Sequence, residues 1–477
     1  MGYNVRVKDI GVFFIPISTR MMLVFGKQTL TSVTCLRVRI EIENEKGASA
    51  SGWGEVPLNI QWLWPSSLCY EKRMDLVKEI VFNLADSLVG SEQTGHAVDL
   101  GNYILETLVP DVTREQHNHR EKREYIPWLA ALAAASAFDI AVHDAYGNLH
   151  NTPVYNTYNA EFMSHDLSFY FHGYQDGARF RGKYPEDYLL RPSSVRLTAW
   201  HLVGGKDPLE PEELTGDEPD DGYPVLLKDW IRKDGLRCLK VKLLGADPEW
   251  DYNRVVRVGC IAAEEGVYWL SVDFNCTVRE PGYVVELLDR LMVECPRIYG
   301  MLLYVEQPFP YDFTHYPIDV HAVSARKPLF MDESSFQWRN VPRGIQLGWS
   351  GIALKTCKTQ TGSLFSACLA KEYCLPVMVQ DLTNPMLAQI PHLLLAAHVG
   401  TYMGVETNSM QFYPEASKPE ASVHPGIYQR KGGFVHLSSL TGPGFGYRID
   451  EINRELPPRA EKMVDNKSLS IKLQAGK

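Results

Sequence analysis

Cys238-Leu-Lys-Val-Lys-Leu-Leu244 is a short β-rich run, and six more follow it: Val267-Tyr-Trp-Leu-Ser-Val-Asp273, Met301-Leu-Leu-Tyr-Val-Glu306, Pro328-Leu-Phe-Met-Asp332, Gly351-Ile-Ala-Leu-Lys355, Pro376-Val-Met-Val-Gln380 and Thr401-Tyr-Met-Gly-Val-Glu406. Arg196-Leu-Thr-Ala-Trp-His-Leu-Val203 supplies an eighth at the front, and helix-like stretches at 250–263, 283–292 and 363–373 fill the gaps. Strands alternating with helices argue for a parallel sheet. Eight such units suit an α/β fold of the (β/α)8 barrel type, typically about 250 residues long. A doubly wound open sheet is the structural alternative.

The ends of these runs carry the chemistry. Lys242 stands near the end of the first, and Asp273, Glu306, Asp332 and Lys355 end the next four, at intervals of 31, 33, 26 and 23 residues. In a parallel barrel the strand ends converge on the C-terminal face, so residues one repeat apart become neighbours round one mouth. Three carboxylates held together repel one another, and a divalent cation is the usual remedy. Hard oxygen donors point to Mg2+, with coordination positions left for water and substrate. None of the five ends offers the His or Cys that zinc or copper would favour. A plainer reading, each charge capping a helix or making a structural ion pair, fits any one residue better than five at successive ends. Lys240 and Lys242 project to the same side of one strand. Two ammoniums ~7 Å apart repel by roughly 2.4 kcal/mol at an effective dielectric of about 20, enough to lower one pKa and make a general base. Lys355, four units round an eight-unit ring, lies opposite. A substrate carbon between Lys242 and Lys355 could lose a proton on one face and regain it on the other.

Upstream, the alternation in Cys35-Leu-Arg-Val-Arg-Ile-Glu-Ile-Glu43 predicts a half-buried antiparallel strand. Helical spacing over 72–88 and an Ala-rich, buried helix near 128–146 follow, which together suggest a separate α+β domain. His117 and His119 fall in the charged run 114–124 and read as a solvated loop rather than a metal pair. Residues 155–191 form an insertion: a lid, a partner surface or a long loop. Composition narrows the function classes further. With 58 acidic against 48 basic residues the net charge is −10, so nothing draws the chain generally to nucleic acid or to an anionic membrane. The longest apolar run, 126–138, falls short of the roughly 18–20 residues a membrane span needs. No secretory leader is recognisable in Met1 to Arg20. The nine cysteines are scattered without a C-x-x-C pair, which fits a reducing, cytoplasmic setting.

At the strand-end residues the chain resembles the enolase superfamily, in the branch of mandelate racemase and muconate lactonizing enzyme. Lys240-Val-Lys242, Asp273-Phe-Asn275, Glu306-Gln-Pro308, Asp332-Glu-Ser334 and Lys355 resemble that branch's K-x-K, D-x-N, E-Q-P, D-E-S and single-lysine motifs in order and spacing. Ala137-Phe-Asp-Ile-Ala-Val-His-Asp144 resembles the helix before the barrel, and Gly442-Pro-Gly-Phe-Gly446 the C-terminal segment. The resemblance implies a modified TIM (β/α)8 barrel with an N-terminal α+β capping domain, whose loops near 17–25 and 53–64 close over the mouth. It implies Mg2+ on Asp273, Glu306 and Asp332, a substrate carboxylate on that ion, and an enolate intermediate served by Lys242 and Lys355, with Lys240 beside them. Asn275 is implied as ligand support and Glu333 as an ion-pair partner orienting Lys355. Gln380-Asp381 stands where the mandelate racemase group carries a catalytic His, so two-lysine chemistry fits better. Glu406-Thr-Asn408 replaces the D-x-D common in dipeptide epimerases. Asp381 and Glu406 remain substrate or support candidates.

The expected organisation is a capping domain over 1–150, an insertion or lid-like segment over 151–194, the catalytic barrel over 195–415, and a segment over 416–477 returning to the cap. The expected activity is that of an Mg2+-dependent isomerase or lyase: a racemase or epimerase, a cycloisomerase or a syn-eliminating lyase. Its partner is a small-molecule carboxylate, with no nucleic acid or membrane partner and a homo-oligomer left open. Two other classes stay in view. One is a barrel lyase forming a Schiff base on Lys242 or Lys355, which borohydride trapping would reveal. The other is a catalytically silent scaffold binding a metal or metabolite.

Overall fold

The structure, a computed structural model, describes residues 3–118 and 120–462. His119 and the last fifteen positions of the expected C-terminal segment lie outside the described residues. Strands β1 (Val5–Phe25), β2 (Gln28–Asn44) and β3 (Ser49–Leu58) pair antiparallel in that order. Along β2 the apolar residues Leu36, Val38, Ile40 and Ile42 are buried, the two-residue period expected of a sheet that covers a core with one face. The helix Trp128–Leu149 lies across β3, and two glycines decide how closely. A Cβ on Gly52 would sit 2.0 Å from Ala145 N, and one on Gly54 would sit 2.0 Å from Ala137 O. Strand and helix therefore meet backbone to backbone, with the helix's alanines as the matching small face. That helix is long and apolar enough to cross a bilayer, yet 94% of its apolar window is buried inside the protein.

One expectation in the cap is corrected. His117 belongs to the helix Val109–Asn118 and not to a loop. Its ring stacks on Tyr125, and Nε2 accepts from Ile126 N at 3.0 Å, so the side chain folds back to cap the chain turning into the next helix.

The remaining strands are β4 (Arg196–Val203), β5 (Cys238–Lys242), β6 (Trp269–Asp273), β7 (Leu302–Glu306), β8 (Leu329–Met331), β9 (Gly351–Leu354), β10 (Val377–Val379) and β11 (Val405–Glu406). They are parallel and lie in the order β10-β9-β8-β7-β6-β5-β4-β11. At the remaining seam Tyr402 N donates to Val377 O at 2.7 Å, so the sheet is a nearly closed barrel and not an open one. β12 (Phe434–His436) adds antiparallel to the start of β4. β11 is much shorter than the apolar run suggests. Gly404 has φ 59°, and a Cβ there would lie 2.0 Å from Thr198 O, so the chain enters the barrel through a glycine turn and only two residues pair. Trp200, Cys238, Tyr304, Phe330 and Met378 fill the lower interior, making a floor on which polar residues stand.

Residues 155–191 pack along the helix Gln360–Glu372. Phe171 lies against Trp338 and Phe365, Lys183 and Tyr188 bind Glu372, and Tyr170 donates to Asp99 of the cap. Near residue 460 the chain runs beside the first strand, where Ala460 N donates to Val12 O at 2.8 Å.

Candidate active site

Register puts the charged residues side by side. Lys242 on β5 is level with Asp273 on β6, which is level with Glu306 on β7. Asp332 follows β8 by one residue and Lys355 follows β9 by one.

Lys240, one layer below Lys242, is fully buried. Its Nζ donates to Glu306 Oε1 (2.6 Å), Glu406 Oε2 (3.1 Å) and Gln380 Oε1 (3.2 Å), and lies 3.2 Å from Asp273 Oδ2. Lys242 Nζ donates to the same Asp273 Oδ2 at 2.5 Å and to Asn275 Oδ1 at 3.0 Å. Across the mouth, Lys355 Nζ stands 2.7 Å from Asp332 Oδ2 and 4.4 Å from the centre of the Trp62 ring. The site is thus two ammonium–carboxylate groupings facing each other, Lys242 with Asp273 and Lys355 with Asp332.

This arrangement corrects the expected origin of a lowered lysine pKa. Burial does press Lys240 toward neutrality, but Glu306, Glu406 and Asp273 outweigh it and hold its pKa well above the usual value. Burial likewise opposes the charge on Lys355, and Asp332 overrides it upward. One carboxylate oxygen, Asp273 Oδ2, lies between the two ammoniums, 3.2 Å from Lys240 Nζ and 2.5 Å from Lys242 Nζ. The acids answer in kind. Burial favours neutral Asp273, yet Lys242 and Lys240 hold it below the ordinary value. Asp332 is likewise pulled down, against burial, by Lys355, Lys358 and Lys240. Glu306 goes the other way. Burial, with repulsion from Asp273, Asp332 and Glu406, raises it well above the usual range despite Lys240.

Glu333 does not pair with Lys355 as expected. Its Oε1 accepts from Trp62 Nε1 at 2.9 Å and from Asn275 Nδ2 at 3.3 Å, because the turn after Asp332 aims it at the cap. Burial and the Asp332 and Asp273 charges push its pKa up to about 7. Asn275 does bridge the site, touching Lys242, Glu333 and, through its backbone N–H, Asp273 Oδ1 at 2.9 Å. Asp381 and Glu406 form a supporting layer. Asp381 accepts from Asn384 N and Asn408 N, while Glu406 holds Lys240, Asp381 N and Asn408 Nδ2.

Three contributors escaped the sequence reading. Lys358 Nζ donates to Asp332 O, to Asp332 Oδ1 at 3.0 Å, to Ser335 Oγ and to Ala353 O. Its signal was the three-residue spacing from Lys355 across a single helical turn. Gln307 Oε1 accepts from Asp332 N (2.8 Å) and Ser334 N (3.0 Å), fixing the segment that carries Asp332. Trp62 comes from the cap segment named for closure, but only the tertiary structure brings its indole to Glu333 and Lys355.

The donor chemistry suits a hard divalent cation. Asp273, Glu306 and Asp332 offer oxygen alone, and the buried Glu306 Oε2 has no hydrogen-bond partner. Among the described residues no three His, Cys, Asp or Glu side chains are already gathered as a metal cage, since each acid faces an ammonium.

Comparison with known proteins places this geometry in context. Residues 224–453 match the family described as enolase C-terminal domain-like. The muconate lactonizing enzyme from Mucobacterium Smegmatis, complexed with muconolactone, shares the fold at a TM-score of 0.55 and 16% identity, over 92% of this chain and 96% of that one. The L-Ala-D/L-Glu epimerase from Bacillus subtilis aligns at 0.59 and 18% identity, over 92% and 98%. A dipeptide epimerase from Enterococcus faecalis V583, complexed with Mg and L-Leu-L-Tyr, aligns at 0.58 and 16%, over 92% and 99%. No curated protein matches the sequence.

Proposed function

We propose that this enolase-superfamily chain, whose barrel belongs to the enolase C-terminal domain-like family, moves the α-proton of a small carboxylic acid in an isomerase or lyase reaction. The observation that carries this is the facing pair of lysines, each poised on a carboxylate: Lys242 at 2.5 Å from Asp273 and Lys355 at 2.7 Å from Asp332. Asp273, Glu306 and Asp332 would hold Mg2+, the ion present with dipeptide in the Enterococcus faecalis epimerase. Bound there, the ion supplies positive charge that makes the α-hydrogen of a nearby carboxylate substrate more acidic.

The protein's own groups do the rest. An acid drawn between Lys242 and Lys355 presents opposite faces of its α-carbon to the two Nζ atoms, so whichever is the neutral amine takes the proton and the ammonium opposite can supply one to the other face. Lys240, sealed among Glu306, Glu406 and Gln380, does not reach a substrate and acts as the counter-charge that lets these acids stay together. Asn275 aligns Lys242, and the Trp62 ring limits where Lys355 can swing. With Lys355 only 4% exposed and Trp62 7%, the cap excludes water from that side of the mouth.

The test is α-deuteration. A library of carboxylic acids is incubated with the protein and Mg2+ in D2O, and exchange is read by NMR. Exchange is expected for one acid class, and Lys242→Ala and Lys355→Ala should each remove it from at least one face while leaving the fold intact. Exchange that survives on both faces in both variants would overturn the assignment. Borohydride trapping of a lysine–substrate adduct would replace it with Schiff-base chemistry.

A further inference from the structure

A cavity of about 720 Å³ opens on the flank of the barrel, between the helix Leu227–Asp234 and the segment 409–430 that follows the last barrel strand. Its wall contains none of Lys242, Lys355, Asp273, Glu306 or Asp332. The volume is within the 300–1,000 Å³ or so typical of small-molecule sites. Tyr223, Trp230, Tyr413 and Tyr428 supply aromatic surface.

Charge on the wall is unevenly matched. Asp221 is taken by Arg20, Asp234 by Arg430 and Glu415 by Lys418. Lys233 has no carboxylate partner among the described residues. Its Nζ reaches Gly222 O at 3.4 Å and lies 4.6 Å from the centre of the Tyr223 ring and 5.6 Å from that of Trp230. Deeper in the wall, Arg430 is buried and spends Nε on Asp234 and Nη1 on Thr407 O, while its Nη2 has no acceptor. Ser409 Oγ, also buried and on this wall, has no partner either. A cation unmatched by any acid, an unused guanidinium N–H and a free hydroxyl, set among four aromatic rings, ask for one kind of guest.

We propose that this flank cavity is a second ligand site, separate from the barrel mouth, for a small aromatic anion whose ring stacks on Tyr223 and Trp230 and whose charge meets Lys233 and, after a small inward shift, Arg430. Occupancy would be felt at the cap. Tyr223 and Asp221 belong to the loop that holds Arg20 of β1, with Arg20 Nε at 2.6 Å and Nη2 at 2.8 Å from Asp221 and further bonds to Pro224 O and Tyr223 O. A ligand on Tyr223 therefore rests against the clasp between cap and barrel.

The probe is 8-anilinonaphthalene-1-sulfonate, an aromatic sulfonate, titrated by fluorescence against the full chain and then competed with benzoate or inorganic phosphate. One saturable site is expected, displaced by benzoate and not by phosphate. Lys233→Gln, at an exposed position, and Tyr223→Ala, at a half-buried one, with the fold checked by circular dichroism, should each weaken binding at least fivefold, and Lys242→Ala should not change it. Unchanged binding in the first two variants, loss in Lys242→Ala, displacement by phosphate alone, or no saturable binding would each overturn the proposal.

Discussion

Lys358 is 3% exposed and donates to four oxygens, two of them on Asp332. Replacing it with methionine keeps much of the length and removes the charge, so Asp332 is left with Lys355 as its neighbouring ammonium and two backbone carbonyls lose a donor. Breaking one side of a buried pair typically costs about 3–5 kcal/mol. Lys358→Met is expected to lose stability of that order in urea unfolding at neutral pH. An unchanged midpoint would mean that Asp332 is held by Lys355 alone. At this scale the sequence named Asp273, Glu306, Asp332, Lys242 and Lys355 from position along the strands. It missed Lys358 and misassigned Glu333, because which lysine reaches a carboxylate depends on side-chain direction after the strand has ended.

Among the elements, β3 and the helix Trp128–Leu149 depend on missing side chains. Gly54→Ala drives a Cβ to 2.0 Å from Ala137 O and 2.7 Å from Ala141 N, both backbone atoms that cannot yield cheaply. Overpacking of this kind costs about 1–3 kcal/mol or more. Gly282→Ala, at the second residue of the helix Pro281–Glu294 with nothing within 4 Å of the new methyl, should act oppositely and stabilise by about 0.4–1 kcal/mol, since it restricts the unfolded chain. Thermal midpoints moving in opposite directions would verify both, and a Gly54→Ala protein as stable as the parent would show that the helix can retreat from the sheet. The periodic strands and the alanine helix were legible because their pattern repeats many times. The brevity of β11 and the helical setting of His117 were not, because each hangs on a single turn.

Across the whole molecule, Asp144 ties three distant parts together. It sits on the helix before the barrel and accepts from Trp53 N of β3 (2.9 Å) and from Phe445 N of the C-terminal segment (2.9 Å). Burial outweighs these amide bonds and lifts its pKa to about 7, above the 3.8 of an ordinary Asp. A folded-state pKa above the unfolded one means that the native protein binds the extra proton. The stabilisation is complete below about pH 4 and is lost as pH rises through 7. By linkage it amounts to no more than about 4 kcal/mol. Stability should therefore fall between about pH 4 and 7 in the parent and change less in Asp144→Asn. Equal slopes in the two proteins would refute the assignment. What the sequence determined by itself was the repeating order of strand and helix and the kind of residue ending each strand, because both are local and periodic. Only the tertiary structure decided which ammonium neutralises which carboxylate, that Trp62 of the cap closes on Glu333, and that a flank cavity keeps an unmatched cation. Those outcomes depend on the register, closure and docking of segments hundreds of residues apart, and no local pattern encodes that distance.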